Sequence, residues 1–157
     1  MINQKSLEAL IDSTLSSITC FHEVTSSDKH LVMFTMFMGG GGFINEGNPT
    51  THGMFSWSFE RFETFLNEQL KINKRLCKDI NNICLVDVEN DSIQDLWEAL
   101  AYNMAFQIMI VWGYYHINMS DMPRGIEEVR EAYFNVWPCP VRDSKNAWER
   151  VKELFTV

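Results

Sequence analysis

The segment that most restricts the fold is Ala99 to Ile117, ALAYNMAFQIMIVWGYYHI, which has no formal charge over 19 residues. A run of that length and polarity either crosses a bilayer or is buried inside a protein. Asn103, Gln107 and His116 interrupt it, and no Lys or Arg stands anywhere from Asp79 to Pro123. Membrane spans normally carry basic residues near one end. The segment therefore predicts a buried central helix and no association with a membrane.

Apolar spacing supplies the elements that cover this helix. Leu7, Leu10, Ile11, Thr14, Leu15 and Ile18 form one face of a first helix,. Thr25-Ser26-Ser27-Asp28 marks a break and a helix start,. Leu31 to Met38 is apolar on all sides and short enough for a buried strand, but its three methionines and the cap-like Asp28 favour a helix,. Phe55, Phe59, Phe62, Leu66 and Leu70 mark the next face, which continues with a bend through Leu76, Ile80 and Ile83.

Asp91 or Ser92 caps a helix that runs to about Ile117, and Ser92 with Asp95 resembles a capping box,. Asp121-Met122-Pro123 opens another helix, with Ile126, Val129, Tyr133 and Val136 on one face. Trp137-Pro138-Cys139-Pro140 ends it,. Asp143 caps a last helix lined by Trp148, Val151, Leu154 and Phe155. Ile83 to Val88 (ICLVDV) is the one strand candidate. With 46% hydrophobic residues the chain can bury a real core. The prediction is an all-α, single compact domain over residues 1–157, with about six helices around the central apolar one.

The glycines of MGGGGFINEGNPTTHG, Met38 to Gly53, raise the question of a phosphate loop. Such a loop follows a strand and opens a helix, so that backbone N–H groups and the helix N-terminus meet the anion. These glycines follow a predicted helix, whose C-terminus repels phosphate. The run has no Lys, and GxGxxG spacing fails at Ile44-Asn45. A helix stop followed by a long surface loop fits better. If that loop binds a partner, Glu46, Asn48 and His52 are its polar contacts.

Charge narrows the partners. The chain has 21 Asp and Glu against 13 Lys and Arg, a net charge of −8. Repulsion from phosphates disfavours direct nucleic-acid binding, and the balance favours basic protein surfaces. Asp87, Glu89, Asp91, Asp95 and Glu98 lie close together with no basic residue among them. They read either as a solvated face with acids at a helix start or as a patch that docks on a basic cleft. VDVENDSIQDLWE lacks the central Gly and final Glu of a calcium loop,. Glu127, Glu128 and Glu131 form a second acidic group, diluted by Arg124 and Arg130. Among the aromatics, Trp57 and Phe65 fall off the stripe set by Phe55, Phe59 and Phe62, so either is a candidate exposed anchor,.

Catalytic and metal chemistry find little support. The four cysteines, Cys20, Cys77, Cys84 and Cys139, contain no CxxC pair, and the four histidines form no HExxH,. Cys77 and Cys84 sit among apolar residues and read as core, while Cys139 stands between two prolines,. The expectation is no metal, no cofactor and no enzyme. The N-terminal MINQKSLEALIDSTLSS lacks the basic start and apolar run of a signal peptide, which predicts a cytoplasmic chain with reduced thiols,.

An acidic, helical chain with the run Asp87 to Glu98 and the loop GGGGFINEGNPTTHG resembles, in kind, the bacterial immunity proteins, including those of contact-dependent growth inhibition systems. That resemblance implies a protein that neutralises a cognate toxin, a nuclease above all, by occluding its basic active site. Asp87, Glu89, Asp91, Asp95, Glu46, Asn48, His52 and Trp57 are the residues expected to meet it. Gly41-Gly42-Phe43 also resembles the glycine pair and aromatic of a helical family of bacterial DNA mimics, although Met38, Gly39 and Gly40 stand where that pattern has polar and acidic residues. The alternative function is therefore an acidic DNA mimic or a regulatory adaptor.

Overall fold

The computed structural model describes residues 4–18, 24–39, 51–52, 55, 57–138, 140 and 149. Its order is α1 (Gln4–Leu15), α2 (Ser26–Gly39), β1 (Thr51–His52), β2 (Trp57–Ser58), α3 (Phe59–Phe65), α4 (Lys74–Cys84), α5 (Ile93–Tyr102), α6 (Met104–Asn118) and α7 (Ile126–Val136). A π-helical turn, Leu66–Leu70, extends α3. The fold is all-α. β1 and β2 form a two-residue antiparallel ladder, with Thr51 opposite Ser58 and His52 opposite Trp57.

α6 is the centre. It packs against α1, α2, α4 and α5, while α7 lies on α2. Every residue from Phe106 to Gly113 is buried. Leu31 to Met38 of α2 are buried as well, which explains why neither helix has a polar face,. α4 and α6 approach closely at Gly113, where a Cβ would stand 3.1 Å from Leu76 Cδ2. Thr35 and Tyr115 bring paired polar groups into this core. Thr35 Oγ1 donates to the Leu31 carbonyl at 2.8 Å and lies 2.7 Å from the Tyr115 hydroxyl.

Helix starts follow their capping residues. Thr25 Oγ1 accepts from the Asp28 N–H, Ser58 Oγ from Arg61 and Asn73 Oδ1 from Leu76. Ser92 Oγ accepts from the Asp95 N–H at 3.1 Å, as the expected cap requires. Each satisfies a backbone donor that the first helical turn leaves unpaired.

Four expectations need correction. The helix predicted from Ser92 to Ile117 is two helices, because Asn103 ends α5 and caps α6 by accepting from the Phe106 N–H at 3.0 Å. The remaining 15 residues of α6 reach about 22 Å at 1.5 Å per residue, short of a hydrocarbon core,. Among the described residues no helix is long and apolar enough to cross a membrane. Second, ICLVDV is not a strand; Ile83 and Cys84 finish α4 and the rest is loop. Third, the face from Phe55 to Ile83 is not one bent helix. Phe55 precedes α3 in a turn, and Ile72 and Asn73 separate the π turn from α4. Fourth, Trp57 and Phe65 are not exposed anchors but core, at 2% and 3% exposure. The last predicted helix and most of the glycine loop, Glu46 and Asn48 included, lie outside the described residues. α2 does end at Gly39, so the glycine run begins at a helix C-terminus.

Candidate functional site

The loop between α4 and α5 opens on a costly residue. Leu85 has φ 57° and ψ 39°, and it is 90% exposed. It is the one non-glycine residue with positive φ among the described residues. The left-handed conformation costs a leucine roughly 1–2 kcal/mol. The left-handed residue is the C-cap that ends α4, a place where glycine is usual, and a leucine there with its side chain in solvent is a candidate for function,. The backbone around it is held by Asn81, whose carbonyl accepts from the Leu85 N–H at 3.1 Å and whose Oδ1 accepts from the Val88 N–H at 2.8 Å.

Asp87 builds the next turn. Its Oδ1 accepts from the N–H groups of Glu89 and Asn90 at 3.2 and 3.1 Å, and its Oδ2 from Asn90 Nδ2 at 2.9 Å. The Asn90 side-chain bond, foremost, holds this carboxyl below its usual range. Asp91 Oδ2 accepts from the Asp87 N–H at 2.9 Å. Glu89 pairs with Lys74 at 3.1 Å across the surface. Asp95 is exposed in the first turn of α5, where the helix dipole favours an acid,.

The four predicted acids thus share one loop and helix start. Three of them are tied into it: Asp87 and Asp91 shape the backbone, and Glu89 has a cation. The freer acidic surface is along α5, where Asp95 and Glu98 are exposed and Glu98 lies one turn before Tyr102,. Tyr102 is 76% exposed.

Asn103 joins this face to Leu85. Its Nδ2 donates to the Cys84 carbonyl at 2.9 Å, so the C-terminal ends of α4 and α5 meet. Leu85 and Tyr102 each adjoin a member of that bond in sequence. The result is a corner with two exposed apolar side chains beside an acidic loop and helix, within a segment that lacks Lys and Arg. Such a corner suits a binding contact, in which apolar anchors supply affinity and the surrounding charge steers encounter.

Of the other predicted residues, Glu46 and Asn48 lie outside the described residues, β1 with His52 packs beside α5, and Trp57 does not join the corner. His52 lies in β1, paired through its backbone with Trp57. Trp57 is buried against Phe55, Phe65, Tyr114 and Trp137. Cys77 and Cys84 are buried and free, and burial raises both thiols, Cys84 to about 12, which keeps them protonated and unreactive,. No group of three His, Cys, Asp or Glu among the described residues is arranged to hold a metal ion.

Leu85 and Tyr102 are the residues that sequence reasoning missed. Leucine gives no signal for a left-handed turn, and the prediction of a continuous helix hid Tyr102 inside it. Asn103 was the available clue, since an Asn within an apolar run is a capping residue as readily as an interruption. Comparison of the chain with protein-family models, with curated proteins and with solved structures gives no match.

Proposed function

We propose that this chain is an immunity-type binding protein that docks on a cognate toxin and occludes its basic active site, a nuclease being the class that fits best. The observation that supports the reading is Leu85, a leucine displayed to solvent in a left-handed conformation and linked through the Asn103–Cys84 bond to exposed Tyr102, with Glu89 and Glu98 exposed on the adjoining loop and helix. Leu85 and Tyr102 enter apolar recesses of the partner, while Asp95, Glu98 and the loop acids face its cationic cleft. Net charge of −8 speeds the encounter,. On this reading the chain is a stoichiometric inhibitor rather than an enzyme, and it works in the cytoplasm.

The mixed character of the corner favours occlusion over DNA mimicry. A mimic needs carboxylates available in place of phosphates. Here Asp87 and Asp91 accept bonds from the loop's own backbone, and Glu89 is paired with Lys74. The test is a search of the neighbouring genes for a nuclease toxin domain, followed by inhibition of that domain with the purified chain. Equimolar chain should abolish cleavage and elute with the toxin domain as one complex. A toxin domain that remains fully active and elutes separately contradicts the reading.

A further inference from the structure

A recess of about 350 Å³ opens beside α3, and none of the residues of the α4–α5 corner lines it. That volume lies at the lower end of small-molecule sites. Trp57 and Phe65 are its buried aromatic walls, and half-buried Tyr114 of α6 completes them. The three rings touch one another, with centroids 5.5 Å apart for Trp57 and Phe65, 5.6 Å for Trp57 and Tyr114 and 5.5 Å for Phe65 and Tyr114. Trp57 and Phe65 are almost wholly covered and back the recess, so Tyr114 is the ring with surface open to a ligand,.

Three further observations concern polar chemistry. The Trp57 indole N–H is buried without a hydrogen-bond partner, the one such side-chain group among the described residues. The atom is covered by protein rather than open to the recess, so it senses changes in the wall and does not itself bond a ligand. Arg61 is the one cation among the described lining residues, and its charge acts on the Tyr114 hydroxyl across the recess. A guanidinium recognises a carboxylate by two parallel bonds. The third observation is the π-helical turn, Leu66–Leu70, which supplies Gln69 to the wall. Gln69 and Asn118 exchange side-chain amide bonds at 2.8 and 3.3 Å, which fastens that turn to the end of α6. Single π turns within helices are frequent at functional sites. Exposed Glu60 at the rim balances Arg61, so the lining suits one carboxylate rather than a phosphate chain.

We propose that this recess binds a small aromatic carboxylate, with its ring against Tyr114, which Trp57 and Phe65 back, and its carboxylate on Arg61. The indole N–H of Trp57 reports occupancy. Phenylacetate is the probe, followed through the indole ¹H–¹⁵N resonance that disappears in Trp57→Phe. The expected result is a saturable shift, weakened about tenfold or more in Arg61→Met and with the neutral isostere phenylacetamide. Acetate alone should leave the resonance in place. Thr64→Trp, at an exposed rim position, should fill the recess and abolish the shift without unfolding the chain by circular dichroism. The proposal is overturned if phenylacetate gives no saturable shift at millimolar concentration. It is equally overturned if folded Arg61→Met, or phenylacetamide, binds as tightly as the parent pair.

Discussion

Asn103 donates from Nδ2 to the Cys84 carbonyl at 2.9 Å while its Oδ1 caps α6 at Phe106. One side chain thus closes α4, separates α5 from α6 and holds together the corner where Leu85 and Tyr102 stand. Asn103→Asp keeps the cap and loses the bond to Cys84; Asn103→Ala loses both. Urea denaturation should show Asn103→Ala destabilised by about 2–3 kcal/mol and Asn103→Asp by less. Equal losses would mean that the cap at Phe106 carries nothing, and a parent-like Asn103→Asp would mean the same of the Cys84 bond.

Leu85 sets stability against binding. Leu85→Gly removes the steric penalty of φ 57° and an exposed side chain that supports no core. The variant should be as stable as the parent or up to about 1 kcal/mol more so, even after the greater freedom of glycine in the unfolded chain. Its complex with the toxin domain should dissociate faster. A variant that is clearly less stable and binds unchanged would show that Leu85 is structural.

The buried pair of Thr35 and Tyr115 predicts an asymmetry. Thr35 has one hydroxyl proton and gives it to Leu31, so Tyr115 is the donor in the 2.7 Å contact. Thr35→Val strands the phenol and should cost about 1–3 kcal/mol. Tyr115→Phe leaves Thr35 bonded to Leu31 and should cost less, about 0.5–1.5 kcal/mol. In the double variant no stranded phenol remains, so its loss should fall below the sum of the singles. Additive losses in thermal unfolding would contradict this hydrogen-bond direction.

Stability should fall on the alkaline side. Burial raises the Cys84 thiol from 9.0 to about 12 and holds the Tyr115 phenol well above its ordinary 10.0. A group whose pKa is raised by folding contributes its full stability below its unfolded value and loses it as pH climbs toward the folded one. Cys84 therefore takes effect from about pH 9 to 12, with a slope of up to about 1.4 kcal/mol per pH unit,. Denaturant midpoints measured across that range should decline, and Cys84→Ala should flatten the first part of the decline. An unchanged slope in Cys84→Ala would contradict the assignment. On the acid side, burial lowers half-buried His116, stacked on Trp112, so its contribution is present above pH 6.5 and fades as pH falls.

The helices were legible where periodicity and caps agreed. α1 follows its apolar spacing, and Ser92 caps α5 as its neighbours suggest; α7 keeps the expected face but starts at Ile126 after Gly125, not at Asp121-Met122-Pro123, and α2, apolar on all sides, was legible from its composition and Asp28. The errors have physical sources. Trp57 was assigned to the surface by counting helical turns from Phe55, but the chain is extended at Trp57 and the helix starts at Phe59. The long apolar segment concealed a break because burial, which it encodes strongly, is blind to a local cap. Of the candidate corner, only the acids could be read from sequence. Its apolar members depend on a backbone angle at Leu85 and on a bond between residues 19 apart, Asn103 and Cys84.

The central claim is that the α4–α5 corner binds a basic partner through both charge and apolar contact. The direct measurement is stopped-flow association with the nuclease toxin domain at low and physiological salt, comparing the parent with folded Glu98→Lys and Leu85→Ala. Glu98 is preferable to Asp87 and Asp91, whose carboxylates hold the loop. Charge reversal at Glu98 should slow association at low salt by several-fold and matter less as salt screens the field. Leu85→Ala should leave association nearly unchanged and speed dissociation by about tenfold or more. Contradiction would be parent-like rates for both variants at both salt concentrations, which would leave the acids a solvated face and Leu85 without a binding role.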